Sequence, residues 1–106
     1  SSALVDSVIK SMVSDDANDT SLVDGLTAIN NARQSNIDEK IFLDMIAAHI
    51  RSLLVSKIKG ENINIPVNSN NLLSLLEAYE YVGVTATPML GLELILIKNR
   101  EAKKVK

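Results

Sequence analysis

Residues 84–106 read VTATPMLGLELILIKNREAKKVK, and the fold class turns on whether this stretch is helix or hairpin. As a helix, Thr87 is the N-cap and Pro88 takes the first helical position, where its missing N–H costs little. The helix then runs to about Lys103. As a hairpin, YVGVTAT and LELILIK are strands joined by PMLG, with Gly91 at positive φ. Val82, Val84, Thr85 and Thr87 are β-branched and favour strands. The Thr–Pro start and the helix-forming REAKK ending favour the helix. A hairpin would also leave Met89 and Leu90 bare at its tip. Helix is the preferred reading. A C-terminal hairpin over 82–98, which would make the chain α+β, is the alternative.

Upstream, helical periodicity dominates. Leu4, Val5, Val8, Ile9, Met12 and Val13 recur at i, i+1, i+4, i+5, i+8 and i+9, which is one face of a helix over about Ala3 to Val13. SDDANDTS follows and reads as a loop, because its side chains bond their own backbone. Ser21 and Asp24 fit the [ST]-x-x-[DE] capping pattern, and Leu22, Val23, Leu26 and Ile29 form the stripe behind it. Gly25 inside this helix costs about 1 kcal/mol relative to Ala, and close approach of a neighbouring helix would explain its use. Asn36 and Glu39 look like the next cap. Between Ile41 and Ile50 only Asp44 and His49 are polar, so the helix over 36–59 is expected at the centre, with the others around it. Lys40, Asp44 and Arg51 would mark its wet edge, and Gly60 its left-handed end. ENINIPVNSN is an extended linker or short edge strand, because Pro66 lacks a donor and Ile63, Ile65 and Val67 alternate. A helix then starts near Ser69, with Leu72, Leu73, Leu75, Leu76 and Tyr79 inward and Ser74, Glu77 and Glu80 as its polar strip. Gly83 is its expected stop. The expectation is a mainly α bundle of about five helices.

The length of 106 residues predicts a single domain, 1–106, ending in a basic tail over 98–106. Leu, Ile and Val number 14, 11 and 9, enough to build a core. Aromatic residues are only Phe42, Tyr79 and Tyr81, which argues against surfaces that stack bases or sugars. There is no Cys, so disulfides, thiolate zinc sites and thiol nucleophiles are out. No signal peptide or membrane-spanning run is visible, and a cytoplasmic location is expected. The net charge of −2 is unevenly spread. Residues 1–40 carry a net −4 and residues 98–106 a net +4.

Motifs for chemistry are scarce. His49 is the lone histidine, with no carboxylate near it along its own helix. A half-buried structural histidine is the expectation, ahead of a catalytic base. Asp15, Asp16, Asn18 and Asp19 invite a calcium loop. With Asp16 at position 1, however, Ser21 replaces the required Gly and Thr27 the bidentate Glu, so the match fails. VTATP resembles the Thr-Ala-Thr-Pro stretch of some superfamily 2 helicases over five residues. Their activity implies a phosphate-cradling Gly-rich loop ending in Lys, and none of Gly25, Gly60, Gly83 or Gly91 is followed by Lys. No cofactor, metal or catalytic residue is predicted.

Two candidate surfaces follow. The first is a self-association or partner face made of Leu72, Leu76, Tyr79, Met89, Leu90, Leu94 and Ile97, because a bundle of this size has more apolar helix surface than it can bury. This predicts a small non-catalytic interaction protein, an adaptor or regulator that forms a homo-oligomer. The second is a nucleic-acid contact made of Lys98, Arg100, Lys103, Lys104 and Lys106, extended by Arg51, Lys57 and Lys59, which would hold phosphates without reading sequence. A small enzyme is the third reading.

Overall fold

The computed structural model describes residues 2–16 and 18–104. It holds five helices: α1 (Ser2–Val13), α2 (Ser21–Gln34), α3 (Glu39–Ile58), α4 (Ser69–Tyr79) and α5 (Leu90–Lys104). No strand occurs among the described residues. The final segment is therefore a helix, and the chain is an all-helical bundle. All five helices, together with Val67 of the linker, send side chains into one apolar cluster.

The closest seam joins α1 and α2. Val5, Val8, Ile9 and Met12 of α1 are buried, and α2 meets them with small residues, Gly25, Ala28 and Ala32, around Ile29. A Cβ on Gly25 would stand 2.8 Å from Ser11 Cβ and 3.0 Å from Leu96 Cδ1. Gly25 therefore sits where two other helices press on one backbone, as the sequence suggested. Ser11 is 4 % exposed, and its hydroxyl has no hydrogen-bond partner.

The helix starts depart from the sequence reading in an informative way. Ser21 and Asp24 do not form a capping box. Instead the Asp19 carboxylate accepts the Ser21 N–H at 3.0 Å and the Ser21 hydroxyl at 2.6 Å. Asn36 is not a cap either; it takes φ 60 in the turn, and Asp38 caps α3 by accepting the Ile41 N–H at 3.1 Å. At α4 the cap is reciprocal. The Asn68 side chain accepts from the Asn71 N–H, and Asn71 Oδ1 accepts from the Asn68 N–H. Gly60 and Gly83 carry φ of 83 and 74 in the turns after α3 and α4, a conformation that costs a residue with a side chain.

α5 begins two residues later than a Thr-cap and Pro-first start would place it. Pro88 stays in the turn, and Met89, at φ 69, is the residue from which the helix departs. A bulky side chain in the left-handed region is strained. Two contacts hold it there. Its side chain is fully buried, and its N–H donates to Glu39 Oε2 at 2.8 Å. Arg33 of α2 adds a clamp, donating to the Pro88 carbonyl at 3.0 Å and to Glu93 at 2.9 Å.

Two facing assignments also change. Leu73 and Leu76 point outward, at 59 % and 53 % exposure, and Leu75 and Ala78 fill the inner face of α4. α3 is the longest helix, but it is not enclosed. Phe42, Leu43, Ile46 and Ile50 are its buried side, while Ile41 and Ile58 are exposed.

Three stability outcomes follow. Gly25→Ala lowers stability by about 1 kcal/mol in urea unfolding, because overpacking at roughly 1–3 kcal/mol outweighs the gain of about 1 kcal/mol in helix propensity. Ser11→Ala raises stability by about 1 kcal/mol by deleting a buried hydroxyl without a partner. Glu39→Ala lowers it by about 2 kcal/mol, the loss of a charged acceptor from a buried N–H. An unchanged urea midpoint for that variant would remove Glu39 from the account of how α5 starts.

Candidate functional site

α5, with Leu90, Leu94, Ile97, Lys98, Arg100, Lys103 and Lys104, carries members of both candidate surfaces. Leu92 and Leu96 face the core at 1 % exposure. Leu90 and Leu94 stand on the opposite side, at 38 % and 48 %, with half-exposed Ile97 continuing the line. The spacing of four and then three residues keeps the three on one stripe. Beside them Tyr81, half exposed, lies over Gly91, where an added Cβ would stand 3.2 Å from Tyr81 Cβ and Cδ2. The missing side chain at 91 lets the ring rest against α5 next to the leucines.

The structure divides the predicted partner face. Leu90, Leu94 and Ile97 stay together on the outside of α5. Leu76 is exposed on α4. Leu72 is half-buried against the core, and Met89 is fully buried, because the turn before α5 directs it inward. Tyr79 is half-buried, and its hydroxyl donates to Asp44 Oδ1 of α3 at 2.7 Å. Burial, together with that bond, pushes the Tyr79 hydroxyl up to about 12. The same bond, helped by Lys40, holds Asp44 below the usual carboxylate range. Met89, Leu72 and Tyr79 thus serve packing, which periodicity alone could not separate from display.

The predicted cationic surface is also divided. Arg100 is 13 % exposed and pairs with Asp19 at 2.9 Å. Its other guanidinium nitrogen donates to the Asp19 carbonyl at 3.3 Å. Lys103 lies 3.8 Å from Asp15. Lys57 donates to the Val67 carbonyl at 3.2 Å, which ties the end of α3 to the linker. Lys98, Arg51 and Lys59 are exposed. Lys104 ends α5, its side chain lies outside the described residues, and so does Lys106. Among the described residues of the tail, Arg100 and Lys103 therefore lie against the acidic loop.

Asp19 is the hub of that loop. It accepts hydrogen bonds from the Ser14 hydroxyl, the Ser21 hydroxyl and N–H, and Arg100. The Ser14 and Ser21 bonds, with a smaller contribution from the Arg100 charge, lower its carboxyl to about 2. The loop is thus a hydrogen-bonded clasp. Among the described residues no cluster of His, Asp and Glu gathers to hold a metal. His49 is exposed on α3, not half-buried, and its Nε2 is 3.7 Å from Asp6 Oδ1 of α1. Among the described residues no helix is long and apolar enough to cross a membrane.

No family model matches the chain, and no curated protein or solved structure matches it. Function must therefore be argued from these surfaces.

The Asp19 clasp has a pH signature. A carboxyl depressed in the folded state stabilises it above the unfolded value of about 3.9, and that contribution is lost as pH falls toward about 2. Wild-type protein is expected to lose urea resistance between about pH 4 and pH 2 more steeply than Asp19→Asn. Parallel curves for the two proteins would show that the clasp does not form in solution.

Proposed function

We propose that this chain is a non-catalytic protein-interaction module that associates with a second copy of itself through the outer face of α5. The observation that carries the reading is the stripe Leu90, Leu94 and Ile97, which lies opposite the core-facing side of the same helix. A helix apolar on both sides has a second surface to cover. Tyr81, anchored on Gly91, supplies the large and conformationally restricted side chain that interfaces favour. Two copies of one stripe meet in a two-fold arrangement, with Leu94 nearest the axis and Leu90 of one copy beside Ile97 of the other. The cysteine-free composition supports a cytoplasmic setting for this role. Polyanion binding ranks behind it, because Arg100 and Lys103 already neutralise Asp19 and Asp15.

Light scattering coupled to gel filtration tests the reading. Wild-type protein is expected to run as a dimer at about 100 µM, and Leu94→Glu to weaken association at least about tenfold while keeping its helical signal. A wild-type monomer at that concentration would refute self-association.

A further inference from the structure

A groove of about 570 Å³ lies where the end of α1, one side of α4 from Asn70 to Glu77 and the later turns of α5 converge. Its size falls within the roughly 300–1,000 Å³ of small-ligand clefts. It is separate from the outer stripe of α5 and plays no part in the self-association reading.

The groove has an apolar side and a charged rim. Met12, Val13 and Ile95 supply aliphatic surface. Four charged side chains line it: Asp15, Glu77, Lys98 and Lys103. Asp15 and Lys103 lie 3.8 Å apart and offset each other. Glu77 and Lys98 are different. They carry opposite charges on the same groove, yet neither side chain makes a hydrogen bond or an ion pair within 4.0 Å to another described residue. Parts of the polar wall are held in place. Asn68 and Asn71 are locked in the α4 cap, and Asn99 donates to the Met12 carbonyl at 3.1 Å. Asn70 and Ser74 remain available to bond a guest.

That arrangement selects against simple ions. An anion attracted by Lys98 would be repelled by Glu77, and a cation drawn to Glu77 would be repelled by Lys98. A neutral molecule with one ammonium and one carboxylate satisfies both, and an aliphatic side chain on it covers Met12, Val13 and Ile95. We propose that the groove is a binding site for a free α-amino acid with an aliphatic side chain. Its carboxylate meets Lys98 and its ammonium meets Glu77. Such a ligand occupies only part of the groove, and the rest stays hydrated. Both charged partners are exposed, so affinity is low, with a Kd on the order of 1 mM.

The test is an amide chemical-shift titration of the whole chain with L-leucine, up to about 10 mM. Saturable shifts are expected at Asn70, Ser74, Lys98 and Asn99. Glu77→Gln should weaken L-leucine about five-fold, the most that an exposed ion pair supplies, and leave N-acetyl-L-leucine, which has no ammonium, unaffected. Lys98→Gln should weaken both of those ligands and leave L-leucinamide, which has no carboxylate, unaffected. Both side chains are exposed, so both variants keep the fold, and circular dichroism checks this. Absence of saturable shifts with L-leucine, or an affinity that neither replacement changes, would overturn the proposal. Neither result depends on whether the chain dimerises.

Discussion

The hydrogen bond from the Met89 N–H to Glu39 is the constraint on which the rest of the bundle depends. It joins residues 50 positions apart and fixes where α5 begins. Met89 sits at a φ that a residue with a side chain avoids, so something outside the turn must hold it. Glu39 supplies the acceptor, and the closed core supplies a socket for the thioether. The Arg33 clamp on Pro88 and Glu93 fixes the same turn from the other side. With the departure point held from two helices, the apolar run of α5 enters the bundle in one phase. Leu92 and Leu96 go in, and Leu90 and Leu94 go out.

This phase links fold to function. A helix as apolar as α5 could bury either side of itself if only hydrophobicity acted, because transfer of aliphatic surface is non-directional. Polar pegs remove that freedom. Glu93 meets Arg33, Asn99 reaches the end of α1, and Arg100 reaches the loop after it. All three lie off the exposed leucine stripe. A slip or rotation of α5 would break them together. The exposed leucines are thus held outside by directional bonds elsewhere on the same helix, which is what a display surface needs.

Much of the architecture was legible in the sequence, for physical reasons that can be named. Periodicity located the first helix, because Val5, Val8, Ile9 and Met12 show the same spacing that burial then uses, whereas the last was read as a helix over a hairpin from its Thr–Pro start and helix-forming REAKK ending. Gly25 was legible as a close approach, since a glycine inside a helix needs a reason. Caps were less so. Asp38 and Asn68 each compete with neighbours of the same chemistry, and one-dimensional spacing cannot choose among them. The outward turn of Leu73 and Leu76 was hidden because a helix apolar on several sides does not reveal which side meets a neighbour. The Glu39–Met89 bond was invisible, because a carboxylate at a helix start reads as a dipole partner. Only tertiary structure brings an N–H from residue 89 to it. The groove was hidden for the same reason. Its Glu77 and Lys98 read separately as a solvated strip and part of a basic tail.

The basic end of the chain shows how composition can mislead in one respect and inform in another. Acidic residues near one end and basic residues near the other suggest a body and a tail, with the tail free to meet a polyanion. Proximity in space changes the meaning. Arg100 and Asp19 are 81 positions apart and 2.9 Å apart in the fold, and Lys103 comes to Asp15. The asymmetry is in part an internal complementarity that draws the last helix against the loop between the first two. A free polyanion-binding arm would leave its cations in water, where they attract phosphate at little desolvation cost. Here Arg100 lies mostly out of water, and its charge is already matched by an acid whose protonation is suppressed to about pH 2. To bind a phosphate it would first have to abandon Asp19, which also accepts the Ser21 N–H at the start of α2. Among the described cations at this end, Arg100 and Lys103 meet acids of the loop and help to close the bundle, and Lys98 stays exposed on the wall of the groove.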